Sequence, residues 1–455
     1  MKKVLLFLKT IFFGTATRGF VTVYALFTLG IASLLRLPIS LAPDKTLSWI
    51  DAIFISASGI STTGLTTVVI AETLSSFGKV VLALGLQFGG IGLIMLLAIF
   101  WMAVGKKISY KERTMIMVDQ NQFKMSGVVK LVKSVLIILF TVELIAFLIM
   151  GLYLTLSGYY EVKEAFFQSF FLTISLTTNA GFDISGTSFV MYHQDYFMQI
   201  LGMFLMFVGA VGFWPLMEFG AFVKAKIKKE KFVFSWFTKT LVSIHLILWI
   251  VGAGLFLLLE GNYFLVGKGT VESIFYGLFM SLTTRNAGFS TIGNLNVLTS
   301  ATQFFYMILM FIGSSPNSAG GGIRTTTLLV ILFSVITYAR GKQQVTIGKK
   351  AFKAENINKA VVVFIAAIAL VLFSSFLLMV SEPFEWHKIM FEVSSAFGTT
   401  GLSLGITPML SFIGKIIIIL TMFIGRIGMV TLLFLFKDEH KRVNVQYPEV
   451  EVIIG

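Results

Sequence analysis

SLTTNAGF at residues 175–182 and SLTTRNAGF at residues 281–289 stand inside long oily stretches, at points where asparagine and glycine weaken a helix. Two further segments stack on the same glycine: SGISTTGLTTV at 58–68 and SAFGTTGLSLG at 395–405. The shared glycines are Gly64, Gly181, Gly288 and Gly401, separated by 117, 107 and 113 residues. A mostly apolar run of about a dozen residues precedes each, enough for a helix of about 17 Å, half the thickness of a bilayer. Such runs predict re-entrant half-helices ending in a glycine loop.

A second motif fixes the register. QFGGIG (87–92), FVGAVG (207–212), FIGSSP (311–316) and FIGRIG (423–428) follow the loops. Their first aligned glycines, Gly89, Gly209, Gly313 and Gly425, lie 25, 28, 25 and 24 residues after the loop glycines. Membrane helices are rich in packing glycines, so one repeat could be chance. Two repeats at nearly constant offset define a unit of span, half-helix, glycine loop and span, used four times. The predicted repeats are 1–105, 106–225, 226–340 and 341–436, followed by a tail at 437–455.

The composition agrees. Of 455 residues, 56% are hydrophobic and 13% charged, with a mean hydropathy of +0.89. Soluble domains are about a quarter charged. Ser134–Ser157, Thr240–Leu259, Ala360–Val380 and Leu410–Phe436 can each cross a hydrocarbon core of about 30 Å. The fold class is therefore an all-α membrane protein with eight transmembrane helices and four half-helices around a pseudo-fourfold pore. Met1-Lys2-Lys3 resembles a basic leader, but no small-residue cleavage site follows, so a basic terminus before the first span is expected.

The net charge of +14 does not imply nucleic acid. Of 36 Lys and Arg residues, 26 fall in five clusters: the N-terminus to Arg18, Lys106–Lys133, Lys224–Lys239, Arg340–Lys359 and the tail from Lys437. The intervening segments, such as Leu37–Ile50 and Gly261–Glu272, carry few positive charges. This asymmetry places the clusters and both termini in the cytoplasm of a multi-pass protein of the cell membrane, in contact with lipid. Cysteine is absent, which excludes disulfides and thiolate metal sites. Four scattered histidines, His245 alone in an apolar span among them, make no metal site, and nothing calls for a covalent cofactor. No nucleophile–base constellation stands at membrane depth, so an enzyme is not expected.

Backbone that leaves helical geometry inside a membrane must be buried in protein or line water. Four equivalent loops around one axis would line a pore. Glycine lets the backbone approach a ligand closely, and inward carbonyls can replace the water shell of a monovalent cation. The half-helix C-termini add about half a negative charge each. The candidate filter residues are Thr63, Gly64, Ala180, Gly181, Ala287, Gly288, Thr400 and Gly401. The Thr63 and Thr400 hydroxyls either brace the loops or face the ion. Arg285 has no counterpart in the other loops, so no anion-selective ring forms; it is expected to pin its loop through backbone hydrogen bonds.

The third outgoing span carries a feature the others lack, GSSPNSAGGGIRTTT at 313–327. Pro316 and the triple glycine interrupt a helix, and no strand or Gly-Lys-Ser/Thr accompanies them as a phosphate loop would require. Beneath a pore this reads as a plug or gate formed by Gly313, Ser314, Ser315, Asn317, Ser318, Gly320, Gly321 and Gly322. Arg426, at the matching place in the fourth repeat, is a charge within a span. It holds the plug, sets the field below the filter, or snorkels to the inner interface. Glu143 is expected to be a buried structural acid.

The four loops, GSSPNSAGGGIR, MFIGRIG and the tail YPEVEVIIG resemble the potassium-translocating membrane subunit of the bacterial Ktr and Trk systems and, more distantly, plant HKT transporters. The likeness runs from about Thr15 to the C-terminus. It implies a single-chain channel-like fold in which carbonyls of Gly64, Gly181, Gly288 and Gly401 bind K+, with Gly313–Gly322 as gate loop and Arg426 beside it. It also implies a homodimer with Tyr447-Pro448-Glu449 near the contact. A cytosolic nucleotide-binding regulatory ring, sensing ATP or ADP, would dock on Lys106–Lys133 and Lys224–Lys239. The chain departs from the Ktr pattern at Thr177-Thr178-Asn179, Thr399-Thr400-Gly401 and Pro316. Two alternatives remain to gated potassium uptake: a sodium-selective or non-selective cation channel of this fold, and a coupled carrier. Carriers favour inverted repeats with midplane broken helices, whereas these four units share one orientation.

Overall fold

The computed structural model describes residues 15–92, 95–96, 114, 128–348, 350–435, 448 and 450. The expected dimer contact at Tyr447-Pro448-Glu449 (Pro448 apart) and most of the expected docking loop Lys106–Lys133 lie outside these residues.

Four long apolar helices, Ala16–Leu35, Val128–Leu156, Trp236–Glu260 and Ala354–Ser381, lead four similar units. Each is followed by a half-helix: Trp49–Ser61, Val162–Thr177, Thr270–Thr283 and Trp386–Gly398, of 13 to 16 residues. The trailing helices begin at Ser76, Tyr196, Ser300 and Phe412. Ser75, Asp195, Thr299 and Ser411 start them, each side chain accepting the N–H three residues on at 3.1–3.3 Å. That is N-capping by short polar side chains. Glu260 and Glu382, at or just beyond the ends of the third and fourth leading helices, accept from the N–H groups of Thr299 (2.9 Å) and Ser411 (3.0 Å). The leading and trailing helices of these units are thereby tied at one end.

Interruption of the trailing spans is not confined to the third. The second bends by 109° between Tyr196–Ala210 and Phe213–Ile227, and the fourth by 100° between Phe412–Ile427 and Met429–Leu435. The bends fall on Gly212 (φ 98°) and Gly428 (φ 84°), and the first trailing helix ends at Gly92 (φ 105°). These are the last glycines of QFGGIG, FVGAVG and FIGRIG. A φ near +100° is readily taken by glycine and ends the helical ladder.

The half-helices sit at the centre. Each packs on its own leading helix and on the trailing helix of the preceding unit, and the fourth trailing helix packs on the first half-helix. The packing is therefore cyclic, and an ion pair spans its seam: Lys415 Nζ donates to Asp51 Oδ1 at 2.8 Å. Phe54, Phe171, Phe279 and Phe391, one on each half-helix, are fully buried. Glu143 finds its partners between units. Gln87 Nε2 donates to both carboxylate oxygens (3.1 and 2.8 Å) and Thr177 Oγ1 to one (2.8 Å).

Candidate ion pathway

The four loop glycines meet in a ring. A β-carbon placed on Gly64 would lie 2.7 Å from the Ala180 carbonyl oxygen, and one on Gly181 2.9 Å from that of Ala287. Gly288 faces the Thr400 carbonyl and Gly401 the Thr63 carbonyl more closely still. The order 64, 181, 288, 401 and back to 64 follows the chain. All four glycines have positive φ, between 70° and 95°. Glycine is required here twice over, by backbone angle and by the neighbouring loop's oxygen. The candidate filter residues Thr63, Ala180, Ala287 and Thr400 are all buried, and their carbonyls are the oxygens crowding the ring.

Both threonine hydroxyls brace. Thr63 Oγ1 pairs with Ser61 Oγ at 2.6 Å, and Thr400 Oγ1 donates to the Thr284 carbonyl of the adjacent loop at 3.5 Å. A second brace comes from serines six residues before three of the glycines. Ser58 Oγ accepts from Gly64 N–H, Ser175 Oγ from Phe182 N–H and Ser395 Oγ from Gly401 N–H, each at 3.0 Å. Sequence reading passed over these serines, although their fixed offset was visible. The third loop breaks the pattern because Arg285 is one residue more than SLTTNAGF contains. Ser281 is thereby displaced and donates instead to the Trp249 carbonyl at 2.7 Å.

Arg285 is fully buried and donates to the His245 carbonyl (3.0 Å) and the Gly313 carbonyl (3.2 Å). It ties its loop to the third leading helix and to the first residue of the interrupted segment. The His245 ring packs edge-on against Phe207, 5.0 Å between centroids.

Residues 313–324 form a compact loop under the ring. Its ends touch: Ser314 N–H donates to the Gly321 carbonyl at 3.4 Å, and a β-carbon on Gly313 would lie 3.0 Å from Gly322 Cα. Outside partners hold its middle. Ala319 N–H donates to Gly209 O (3.1 Å), Ser315 N–H to Ala210 O (3.2 Å) and Phe213 N–H to Asn317 O (2.7 Å). Ser314 and Ser318 share a hydroxyl hydrogen bond of 2.6 Å, and Ser318 reaches the Ser315 carbonyl at 2.6 Å. Gly320, Gly321 and Gly322 are buried. Arg426, in the last turn of its helix, donates to the Ala319 carbonyl and to those of Gly89 and Gly90 (3.2 Å to Gly90). It joins the fourth and first units to the loop.

Arg324 was not singled out by its sequence, having no counterpart in the other units. Its guanidinium closes the loop from below, donating to the Gly320 carbonyl and to Ser314 Oγ at 3.4 Å. With Arg426 it lines a cavity of about 30 Å³ shared with Asn317 and Ser318. A cavity of about 250 Å³ lies on the other side of the ring, against Gly64, Gly181 and Asp183. Among the described residues no group of His, Cys, Asp and Glu is arranged to hold a metal ion. The oxygens gathered at the ring are main-chain ones, a hard, neutral donor set suited to a large monovalent cation.

A family profile for TrkH, described as a cation transport protein, matches residues 1–445. The Ktr system potassium uptake protein D of Bacillus subtilis (strain 168) is 42% identical over 423 residues, covering 93% of each chain. The potassium/sodium uptake protein NtpJ of Enterococcus hirae is 31% identical over 430 residues, again covering 93% of each. Among solved structures, the potassium transporter TrkH from Vibrio parahaemolyticus superposes with a TM-score of 0.69 at 20% identity, over 92% of this chain and 85% of that one. A helical membrane fold matched over nearly the whole chain, with relatives of this identity, establishes that the protein belongs to the TrkH family of cation transport proteins.

Proposed function

We propose that the protein takes potassium into the cell through a gated, channel-like pore, passively down the electrochemical gradient. The observation that carries this reading is the closed ring of four glycine turns, whose neighbouring carbonyls leave no room for a β-carbon. Such a ring replaces an ion's water with fixed oxygens, and the loop at 313–322 beneath it acts as the gate. The names of the Bacillus relatives, potassium uptake proteins of the Ktr system, support both the ion and a partner subunit. That partner is a cytosolic nucleotide-binding ring responding to ATP or ADP, and the chain works as a homodimer in the plasma membrane with both termini inside. Sodium permeation is the second reading, favoured by the potassium/sodium uptake relative.

Reconstitution into liposomes tests the function: potassium should flow down an imposed gradient faster than sodium. Equal rates would favour the second reading, and no flux of either ion in folded protein would overturn the pore. Arg426→Ala is expected to raise potassium flux about tenfold, because charge-assisted hydrogen bonds are worth roughly 1.5–3 kcal/mol and this residue holds the loop at Ala319. The variant should remain monodisperse on size exclusion; flux at the wild-type rate would remove Arg426 from the gate.

A further inference from the structure

The residues two places before the ring glycines are Thr62, Asn179, Asn286 and Thr399. All four are fully buried, and all have positive φ, at 55°, 51°, 133° and 49°. Two of them hydrogen-bond the loop beneath, and a third braces one of these two. Thr62 Oγ1 donates to the Ala319 carbonyl at 2.6 Å. Asn286 Oδ1 accepts from Gly321 N–H at 2.8 Å, and Thr399 Oγ1 donates to that same Oδ1 at 3.3 Å. The loop is shaped to receive them. A β-carbon on Gly320 would run into the Asn286 amide, and one on Gly321 would lie 2.6 Å from Thr399 Oγ1. The fourth member, Asn179, stands beside Gly209, and both its amide atoms lack a hydrogen-bond partner among the described residues.

We propose that Thr62 and Asn286 latch the loop to the underside of the glycine ring, with Thr399 bracing Asn286, all three acting as positioning residues. This rests on reading the ring as filter and the loop as gate. The turn that aims Thr62 downward is continuous with the turn that carries Gly64, and the same holds for Asn286 with Gly288 and Thr399 with Gly401. The loop therefore leaves only by breaking hydrogen bonds to residues covalently joined to the filter. Filter geometry and gate position become one mechanical system, with the Ala319 carbonyl, shared by Thr62 and Arg426, as its main point of attachment.

The test uses Thr62→Val, which keeps the shape of the side chain and deletes the hydroxyl. In liposomes its potassium flux should rise about fivefold, the effect of losing one net hydrogen bond. Thr62→Ser should restore the wild-type rate, since it keeps the donor. In a chain lacking Asn317–Gly321 the valine should add nothing further, because the latch has lost its partner. If Thr62→Val yields no folded protein, Asn286→Ala is measured in the same two backgrounds with the same expectations. Excision raising flux while neither latch variant does so overturns the latch and leaves the gate standing. An equal rise with and without the loop also overturns it, placing the effect in the filter alone. Excision without any rise removes the gate reading itself, and the latch with it.

Discussion

Gly64→Ser is expected to lower the preference for potassium over sodium at least tenfold, measured as the ratio of initial fluxes into liposomes under matched gradients. The serine β-carbon would stand 2.7 Å from the Ala180 carbonyl oxygen and 3.0 Å from Gly181 Cα, both backbone atoms of the next loop. Neither can rotate away as a side chain could. The φ of 95° is also one that an L-residue adopts only under strain, of order 1–3 kcal/mol. The ring must widen or tilt at that quarter, and about 1.4 kcal/mol of lost discrimination is a factor of ten. An unchanged flux ratio would show that Gly64 does not line the filter.

Excising Asn317–Gly321 is expected to give the largest gain, a rise in potassium flux of tenfold or more. The deletion is geometrically tolerable because Gly313 and Gly322 already touch, so the residues left between them need only close a short turn. What disappears is the Ala319 carbonyl that Thr62 and Arg426 grip, the Gly321 N–H bound by Asn286, and the Ala319 N–H bound to Gly209. Thermal unfolding in detergent separates a true opening from damage: flux should rise in protein that still melts cooperatively. Flux that stays level or falls in such protein would retire the loop as a gate.

Much of the architecture was legible because the chain repeats itself. Gly64, Gly181, Gly288 and Gly401 could be found by stacking four segments, and Arg426 because a charge amid apolar residues stands out. The bends at Gly212 and Gly428 were written in the same repeated motif. A glycine that packs and a glycine that bends look alike in sequence, and only φ separates them. Arg324 escaped notice since no other unit offers a residue to compare. The partners of Glu143 lie 34 and 56 residues away on separate helices, and no periodicity points to such pairings. The hold of Thr62 on Ala319, 257 residues along the chain, is equally invisible until the backbone turns are known.

The ring closes within one polypeptide, and that has a consequence for how such a ring can change. In an assembly of four identical subunits, each genetic alteration is imposed on every quadrant simultaneously. Here every position around the circumference is encoded separately. One quadrant has accepted an extra arginine at position 285 while the other three keep the shorter turn, and the third trailing helix has been opened into the loop at 313–324. Asymmetry of this sort lets a cation pathway be tuned by quarters.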